Sequence, residues 1–428
     1  MVESVVVSKN ATPDMNANFA GGYVEVKTKD IPKKNFMSFT VGSSYNSRST
    51  FKDRLSKQEG SNDYIGFDDG TRDYPSGLVN IALPTTEATS GPFLEQSKKF
   101  TEDNFTTYKT YAAPGTSLQF ALGQVYELKD NNKLGFVGSV IFKNTQDQLQ
   151  IDHTERGTYM TNSEFTPEQE EGYSTFKRYG FKNSGASYNF NSTLGGMLNA
   201  GIQLGKHKIA IRNTYMHMYD NQLTQITGWN FYAGNVEGIV KGTYLPFTKE
   251  TDYPVYQTFI QNKIEGNHRF ENFEINWFGA FASTSKDTKD ATFLTSYRRK
   301  VGSDVQLYQQ IYNADPDAFK RSNFTNNEKD YNVGINFNYA FDLGESVKNN
   351  VKAGYFGTYK IATNQQESSA LNVVGQGTET AIVDFPLSQL LDGSYYRWGG
   401  YGWNRITTYG NEYEGDVKIH SPFLMLDN

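Results

Sequence analysis

The sequence predicts an all-β protein whose main part is an antiparallel up-and-down transmembrane β-barrel of about ten strands. Three observations predict it. Apolar and polar residues alternate over long stretches, aromatic residues make up 15% of the chain although all hydrophobic residues reach only 37%, and the connections between stretches alternate between short and long. Outer-membrane barrels have these properties because every second residue faces lipid, aromatic girdles mark both interfaces, and only one side has long loops.

The stretch Tyr331–Leu343 shows the alternation most clearly. Its odd-numbered residues are all apolar, and the residues between them are small or polar. Successive side chains of a strand point to opposite faces, so the stretch predicts a strand with one apolar and one polar face. It is also long, because globular strands cluster near five or six residues whereas a tilted membrane strand needs roughly ten. The residues predicted to face lipid are Val333, Ile335 and Phe337, and those predicted to face the lumen are Asn336 and Asn338.

Similar stretches recur along the chain and are predicted to be strands. In chain order they are Phe36–Ser47, Leu118–Leu128, Leu134–Phe142, Ala186–Leu204, Ile209–Tyr219, Tyr256–Phe270, Phe273–Phe281, Tyr331–Leu343, Val351–Ile361 and Val417–Leu426. The short links between them are Lys129–Asn132, Gly205–Lys206, Glu271–Asn272 and Gly344–Asn349. Residues of these types tolerate turn geometry, so each short link predicts a hairpin.

Long segments follow every second strand. They lie near residues 48–115, 145–184, 221–254 and 286–327, and a last one ends near residue 415. Loops of this length carry function or local structure of their own. Apolar residues at helical spacing predict a short helix within Asp304–Arg321, broken near Pro316, and a second short helix is predicted at Pro386–Leu391.

The composition excludes several classes of protein. There are no cysteines, so disulfides, thiol catalysis and cysteine-based zinc sites are excluded. A formal net charge of -6 does not suit a nucleic-acid-binding surface. No apolar run of about 18 residues encodes a transmembrane helix. Because no Ser-His-Asp arrangement, nucleotide-binding loop or paired catalytic carboxylates stand out, we expect neither an enzyme nor a cofactor.

The histidines do not predict a metal site. His217 lies between Met216 and Met218, but on a strand it faces away from both, so the three side chains cannot converge on one ion. None of the histidines has the spacing of metal ligands: they are His153, His207, His217, His268 and His420.

The first 32 residues depart from the barrel rhythm. Glu3–Lys9 and Tyr23–Lys29 are predicted to be short strands, joined through a turn at Asn10–Met15. A glycine pair before the second strand allows a tight bend or a close backbone approach. The pattern consists of Val2, Glu3, Val5, Val7 and Lys9, followed by Gly21, Gly22, Val24, Val26, Thr28 and Lys29.

This pattern resembles the end of the plug domain of TonB-dependent outer-membrane receptors, in which a glycine pair precedes the strand that leads into the barrel. Thr12–Met15, Phe19–Gly22 and, in the first long loop, Phe67–Arg72 resemble the Bacteroidetes type of these receptors. The resemblance implies that residues 1–32 are the C-terminal end of a plug and residues 33–428 the N-terminal part of a barrel with long extracellular loops. Because barrels of that family have about 22 strands, it also implies an internal fragment.

The resemblance further implies TonB-dependent active uptake of a scarce ligand across the cell outer membrane of a Gram-negative bacterium. The ligand would be a siderophore, haem, cobalamin, a glycan or a peptide, and the sequence does not choose among them. The implied partners are the TonB–ExbB–ExbD complex, outer-membrane lipid and a surface lipoprotein, with no nucleic acid. Alternatives are a passive porin or surface adhesin barrel of about ten strands and a soluble β-sandwich binding module. The plug-like start argues against the former, and the strand length against the latter.

Three groups of residues are candidate binding or contact sites. An aromatic cluster predicts either a stacking platform for a sugar, peptide or aromatic chelate, or else loop packing or an interfacial belt. Its residues are Tyr395, Tyr396, Arg397, Trp398, Tyr401 and Trp403. In the first long loop, Asp68, Asp69 and Arg72 are predicted to coordinate a cation, to pair with one another, or to stabilise the loop. Asp14 and Glu25 are predicted either to contact the barrel wall or to stay solvated.

Overall fold

The computed structural model describes residues 2–9, 12–13, 22–100, 104–154, 183–228, 247–301, 304–312, 318–343, 347–375, 380–383, 387–407 and 411–427. The described chain is almost entirely β. Its strands are β1 Val2–Ser8, β2 Tyr23–Thr28, β3 Phe36–Ser44, β4 Asp53–Ser56, β5 Tyr108–Tyr111, β6 Gly115–Glu127, β7 Lys133–Thr154, β8 Asn183–Leu204, β9 His207–Gly228, β10 Phe247–Phe270, β11 Phe273–Val301, β12 Asp304–Tyr312, β13 Phe319–Leu343, β14 Val347–Val373, β15 Thr380–Val383, β16 Tyr401–Arg405 and β17 Glu412–Asp427. Its α-helices are α1 Gly91–Ser97 and α2 Leu387–Leu391.

A single sheet of 13 strands dominates the described residues. Its long strands, β3, β6, β7, β8, β9, β10, β11, β13, β14 and β17, are neighbours in that order, and every pairing is antiparallel. The predicted up-and-down series is therefore confirmed. In the part of the chain that the structure describes, β3 pairs only with β6 and β17 only with β14, so the sheet is not closed.

The N-terminal strands form a hairpin of their own. β1 and β2 pair antiparallel, with Val5 opposite Val26 and Val7 opposite Val24. The two strands predicted before the barrel rhythm are thus confirmed. β2 is followed by Lys29–Lys34, which leads directly into β3 at the edge of the large sheet.

Several predicted loop segments are instead continuations of the strands. β9 runs to Gly228 rather than ending at Tyr219, and β11 runs to Val301 rather than ending at Phe281. The alternation fades there because the upper ends of the strands carry polar residues on both faces, while the backbone ladder continues unbroken through most of each strand. Residues 155–182 and 229–246, in the middle of two predicted long segments, lie outside the described residues.

One predicted helix is wrong and the other is confirmed. Asp304–Tyr312 forms β12, which pairs with the end of β11, and Phe319 already begins β13. The spacing of apolar residues in this segment fits the period of a helix as well as that of a strand. Pairing with β11 favours the strand because it satisfies the backbone hydrogen-bonding groups. Pro316 lies outside the described residues. The helix predicted at Pro386–Leu391 corresponds to α2, Leu387–Leu391. None of the helices in the described residues is long and apolar enough to cross a membrane.

The lower half of the sheet, next to the short turns, has one apolar and one polar face. On β9, Ile209 and Ile211 are exposed on the apolar face, while Ala210 and Arg212 lie on the other. The register carries this division across the sheet, because directly paired residues share a face. Exposed members of the apolar face include Met37, Phe39, Val41, Leu118, Phe120, Leu134, Val140, Leu198, Leu204, Ile260, Ile264, Tyr331, Val333, Phe337, Tyr339, Leu424 and Leu426.

The upper half of the same apolar face is covered by the first long loop, residues 45–114. The Tyr64 carbonyl accepts hydrogen bonds from Asn144 Nδ2 of β7 at 3.2 Å and from Ser192 Oγ of β8 at 2.9 Å. The Gly66 carbonyl lies 2.7 Å from His217 Nε2 of β9. The pairing of β9 with β8 and β10 has no register shift between Ile209 and His217, so the side chains of these residues point to the same face. The first loop therefore lies on the face that carries Ile209 and Ile211 further down.

The main apolar core lies above the sheet's lower half, where loops meet the strand ends. Its buried residues are Leu78, Phe100, Phe105, Leu294, Phe319, Leu371, Val373, Leu390, Leu391, Tyr396 and Trp403. They come from the first loop, from β11, β13, β14 and β16, from α2, and from the segment that joins α2 to β16. This core fixes the loops as a folded layer on the sheet.

Candidate functional site

The segment after the N-terminal hairpin is held on the polar face by a buried carboxylate. Asp30 Oδ1 lies 2.7 Å from Lys208 Nζ, and its Oδ2 lies 2.7 Å from Arg212 Nη2, both on β9. Arg212 also pairs with Glu265 of β10, which lies 2.8 Å from Lys263 Nζ. Three cations thus alternate with two carboxylates, so little net charge is left at the contact.

Hydrogen bonds and close packing of this segment against β8 reinforce the ion pairs. Asn199 Nδ2 of β8 donates to Thr28 Oγ1 at 2.9 Å and to the Lys29 carbonyl at 2.8 Å. Next along the chain, Ile31 packs so closely on β8 that a Cβ at Gly201 would lie 3.0 Å from its side chain. The absence of a side chain at Gly201 therefore makes room for the segment.

A cavity of about 810 Å³ separates the hairpin from the polar face of β9, β10, β11 and β13. Charges of both signs line it, from the hairpin as well as from the sheet. The ionisable lining residues are Glu25, Lys27, Lys208, Lys263, Glu265, Arg269 and Glu274. Asn332 and Asn336 of β13 also line it, and Asn336 Oδ1 is buried with no hydrogen-bond partner among the described residues. Such a lining can hold a hydrated, hydrogen-bonding solute.

The predicted plug residues are placed as follows. Thr28 and Lys29 contact the sheet, whereas Val24 and Val26 are exposed on the hairpin. Gly22 immediately precedes β2, and Gly21 lies outside the described residues, as does Asp14. Glu25 pairs with Lys27 of its own strand at 3.6 Å and faces the cavity.

Arg72 is the centre of a buried network under the first loop. Its Nη1 and Nη2 donate to the two carboxylate oxygens of Asp63 at 2.9 Å and 2.7 Å. Nη1 also donates to Tyr256 Oη at 3.2 Å, and the guanidinium lies 5.5 Å from the ring centre of Tyr219. Burial acts to lower the pKa of Arg72, but Tyr219 and Asp63 outweigh it and raise the pKa, so the guanidinium stays charged.

Asp68 and Asp69 do not pair with Arg72. Lys289 of β11 binds Asp68, which ties the loop to a fifth strand. Asp69 accepts hydrogen bonds from the hydroxyls and backbone amides of Thr71 and Ser61, and these bonds lower its pKa. Each of the three predicted residues therefore stabilises the loop or its contact with the sheet, which was one of the alternatives.

The aromatic cluster divides into a buried and a more accessible part. Trp403 stacks on Phe100 with ring centres 4.8 Å apart, and its Nε1 donates to Tyr396 Oη at 2.9 Å. Tyr396 Oη donates in turn to the Phe100 carbonyl at 3.0 Å, and burial raises the pKa of Tyr396 to about 12. These two side chains pack the core. The members that reach solvent are Tyr395, Arg397, Trp398 and Tyr401, and ligand binding remains a prediction for them.

Charged groups of β10 complete the contact with the first loop. Glu250 Oε2 lies 2.8 Å from Lys57 Nζ. Burial acts to raise the pKa of Glu250, but the charge and the hydrogen bond of Lys57 outweigh burial, so the pKa is lowered. Asp252 is buried, and its Oδ1 has no hydrogen-bond partner among the described residues. Burial raises the pKa of Asp252 to about 6, although Arg72 and Lys57 act to lower it.

His217 contacts the first loop. Its Nδ1 lies 2.8 Å from Thr258 Oγ1, its Nε2 contacts the Gly66 carbonyl, and its ring stacks on Phe67 with centres 4.3 Å apart. No group of His, Asp and Glu side chains in the described part of the chain could hold a metal ion.

No model of a known protein family, no curated protein and no solved structure matches the chain. The functional argument therefore rests on the two faces of the sheet and on what lies against each of them.

The contacts of the loops and the N-terminal segment with the sheet, which sequence reasoning missed, are long-range. Asp30 is bound by residues of β9, and Asp63 reaches Tyr256 of β10 as well as Arg72. The only signal for them was the presence of acidic residues in otherwise unassigned segments, which is too common in polar sequence to point to a partner.

Proposed function

We propose that this chain is part of an outer-membrane β-barrel transporter that takes up a scarce ligand with energy supplied through TonB. The proposal rests on one observation: the two faces of a single sheet have different surroundings. The polar face holds the N-terminal segment through Asp30, and the lower half of the opposite face exposes a continuous apolar surface.

The apolar surface supports the membrane part of the proposal. Soluble proteins rarely expose a large contiguous apolar patch, whereas a membrane barrel presents one to lipid on alternate residues of every strand. Leu198, Ile211 and Ile264 lie on neighbouring strands at similar height and are all exposed. The backbone between them is fully paired, as a lipid environment requires.

The N-terminal contact supports the uptake part. A segment that blocks a barrel and is moved by force needs contacts that are specific yet separable. The Asp30 network supplies ion pairs beside a cavity lined by charged and polar residues, where water can replace them at lower cost than in an apolar core. A siderophore, haem, cobalamin, a glycan or a peptide would be taken up along the polar face, with a surface lipoprotein as a further partner and the TonB–ExbB–ExbD complex acting from inside.

Two neighbouring substitutions test the membrane face. Ile335→Arg places a charge on the apolar face and should destabilise the inserted protein by about 2–4 kcal/mol near the bilayer midplane. Asn336→Arg places the same charge on the polar face beside the cavity and should be tolerated. Stability is measured by urea unfolding of each variant in vesicles. Equal stability of the two variants, or recovery of the protein in the water-soluble fraction, contradicts the proposed membrane location.

Uptake is tested separately with and without energy coupling. Cells that express the protein should accumulate a labelled ligand only when TonB is present and the inner-membrane proton gradient is intact. TonB-independent flux would instead favour a passive porin, and surface binding without flux would favour an adhesin.

A further inference from the structure

An apolar groove of about 500 Å³ lies on the apolar face of β6–β10, below the first loop. Its walls are formed by side chains that include Phe120, Phe136, Leu198, Tyr215 and Ile260. A depression of this size on an apolar face at the predicted lipid boundary can hold a specific molecule.

Two glycines form the base of the groove. A Cβ at Gly138 would meet nothing closer than Leu198 Cδ1 at 3.7 Å, and a Cβ at Gly196 nothing closer than a backbone oxygen at 3.9 Å. Side chains would therefore fit at both positions without strain. The space above the backbone is open, and a larger residue at either position would fill it.

A pair of amide side chains interrupts the apolar surface at the groove. Asn213 of β9 lies directly opposite Asn262 of β10, and both line the groove. Asn262 is exposed, and Asn213 Nδ2 donates to the Leu198 carbonyl at 3.1 Å. Their neighbours along the same face, such as Ile211 and Ile264, are apolar. Polar groups exposed to hydrocarbon are costly unless they find a hydrogen-bonding partner.

The height of the amide pair suits the polar part of a lipid. His217, which holds the first loop, lies four residues above Asn213, or roughly 13 Å along the strand. With a strand tilt of about 40°, this places the amides on the order of 10 Å below the underside of the loop. A membrane surface that meets the loop there would bring the amide, ester and hydroxyl oxygens at the upper end of acyl chains to the level of the pair.

We propose that this groove binds one acyl chain of a lipid A molecule of the outer leaflet, and that Asn213 and Asn262 hydrogen-bond to oxygens of its acyl linkage. The inference rests on the proposed membrane location and names a lipid partner for the apolar face. Lipid A fits better than a phospholipid because its acyl chains carry amide and hydroxyl groups that both donate and accept, as the asparagine side chains do.

The test measures lipid retained by the protein after extraction in mild detergent from a Gram-negative host, by native mass spectrometry. Wild-type protein should retain lipid A, and Gly138→Leu and Gly196→Leu should each reduce retention about tenfold or more. Gly279→Leu is the matched control, because Gly279 lies on the same face outside the groove and its Cβ would meet only Ile264 at 3.9 Å. The double variant Asn213→Leu/Asn262→Leu should keep the apolar groove but lose the preference for lipid A over phospholipid.

Equal retention by Gly138→Leu and Gly279→Leu would overturn the inference, as would a phospholipid in place of lipid A in the wild-type protein. Heat-dependent gel mobility of every variant reports membrane insertion independently. A protein that inserts but holds no lipid A contradicts the groove inference alone, whereas a wild-type protein that never inserts contradicts the proposed function.

Discussion

Arg321 of β13 and Asp290 of β11 form a two-point ion pair that is almost completely buried, with Nε–Oδ1 and Nη2–Oδ2 distances of 2.6 Å and 2.7 Å. Asp290 has a φ of 49° and lies where the pairing of β11 with both neighbours shifts register. The Arg321 guanidinium lies 5.5 Å from the ring centre of Phe100, so the pair connects an irregularity of the sheet to the loop core.

Breaking this pair should loosen the loop layer. Asp290→Ala leaves a buried guanidinium without its carboxylate and should cost about 3–5 kcal/mol, whereas Asp290→Leu combined with Arg321→Met should cost clearly less. The measurement is hydrogen exchange in residues 400–405, next to the stacked Phe100. Glu95→Gln on α1 is the control, because its partner Lys98 and Glu95 itself are largely exposed. If residues 400–405 exchange as slowly in Asp290→Ala as in Glu95→Gln, the ion pair does not stabilise the loop layer.

Asp30→Asn should release the N-terminal segment from the polar face. The substitution keeps the size of the side chain but removes the charge that Lys208 and Arg212 share, so trypsin should cleave faster after Lys27 and Lys29. Initial cleavage rates by mass spectrometry provide the measurement. Glu25→Gln is the matched control, since the ion pair of Glu25 within the described residues is with Lys27 of its own strand, which is half exposed, at 3.6 Å. Identical rates for the two variants would show that Asp30 does not hold the segment.

The strand order and the lower faces of the sheet could be predicted from the sequence because both depend on local information. Ile335 and Asn336 point to opposite faces whatever the distant sequence is, and short turns pair consecutive strands. The upper strand ends could not be predicted, because beyond Phe281 most residues of β11 are polar and the regular alternation of apolar and polar residues disappears. The contacts of Asp30 with β9 and of Asp63 with Tyr256 were equally inaccessible, since each partner lies on a strand far away in sequence.

The aromatic cluster should separate into structural and binding residues. Trp403→Ala removes a buried ring from the core and should cost about 3–5 kcal/mol, with faster hydrogen exchange across α2 and β16. Trp398→Ala, at a partly exposed position of the same segment, should leave stability unchanged. If the accessible part binds a ligand, Trp398→Ala should weaken binding of that ligand, as measured by titration. Strong destabilisation by Trp398→Ala would show that it also belongs to the core.

The contact between the first loop and β10 should weaken as pH rises through about 6. Burial raises the pKa of Asp252 to about 6, so the folded state holds the proton more tightly than the unfolded chain. Its contribution to stability is therefore complete below the unfolded value near 4 and is lost as pH rises through 6. Asp252→Asn cannot ionise, so it should be insensitive to pH in this window and should be more stable than the wild type at pH 7 by about 1–3 kcal/mol, at 1.36 kcal/mol per unit of pKa.

The measurement for Asp252 is hydrogen exchange of residues 57–72 and 248–256 between pH 4.5 and 7.5, corrected for intrinsic exchange. Protection in the wild type should fall with rising pH, and protection in Asp252→Asn should stay flat. Asp69→Asn is the control, because hydrogen bonds from Thr71 and Ser61 lower the pKa of Asp69, so Asp69 stays ionised across this window and the variant should keep the pH dependence of the wild type. A wild-type loop whose protection rises from pH 4.5 to 7.5 would show that Asp252 remains ionised beneath it.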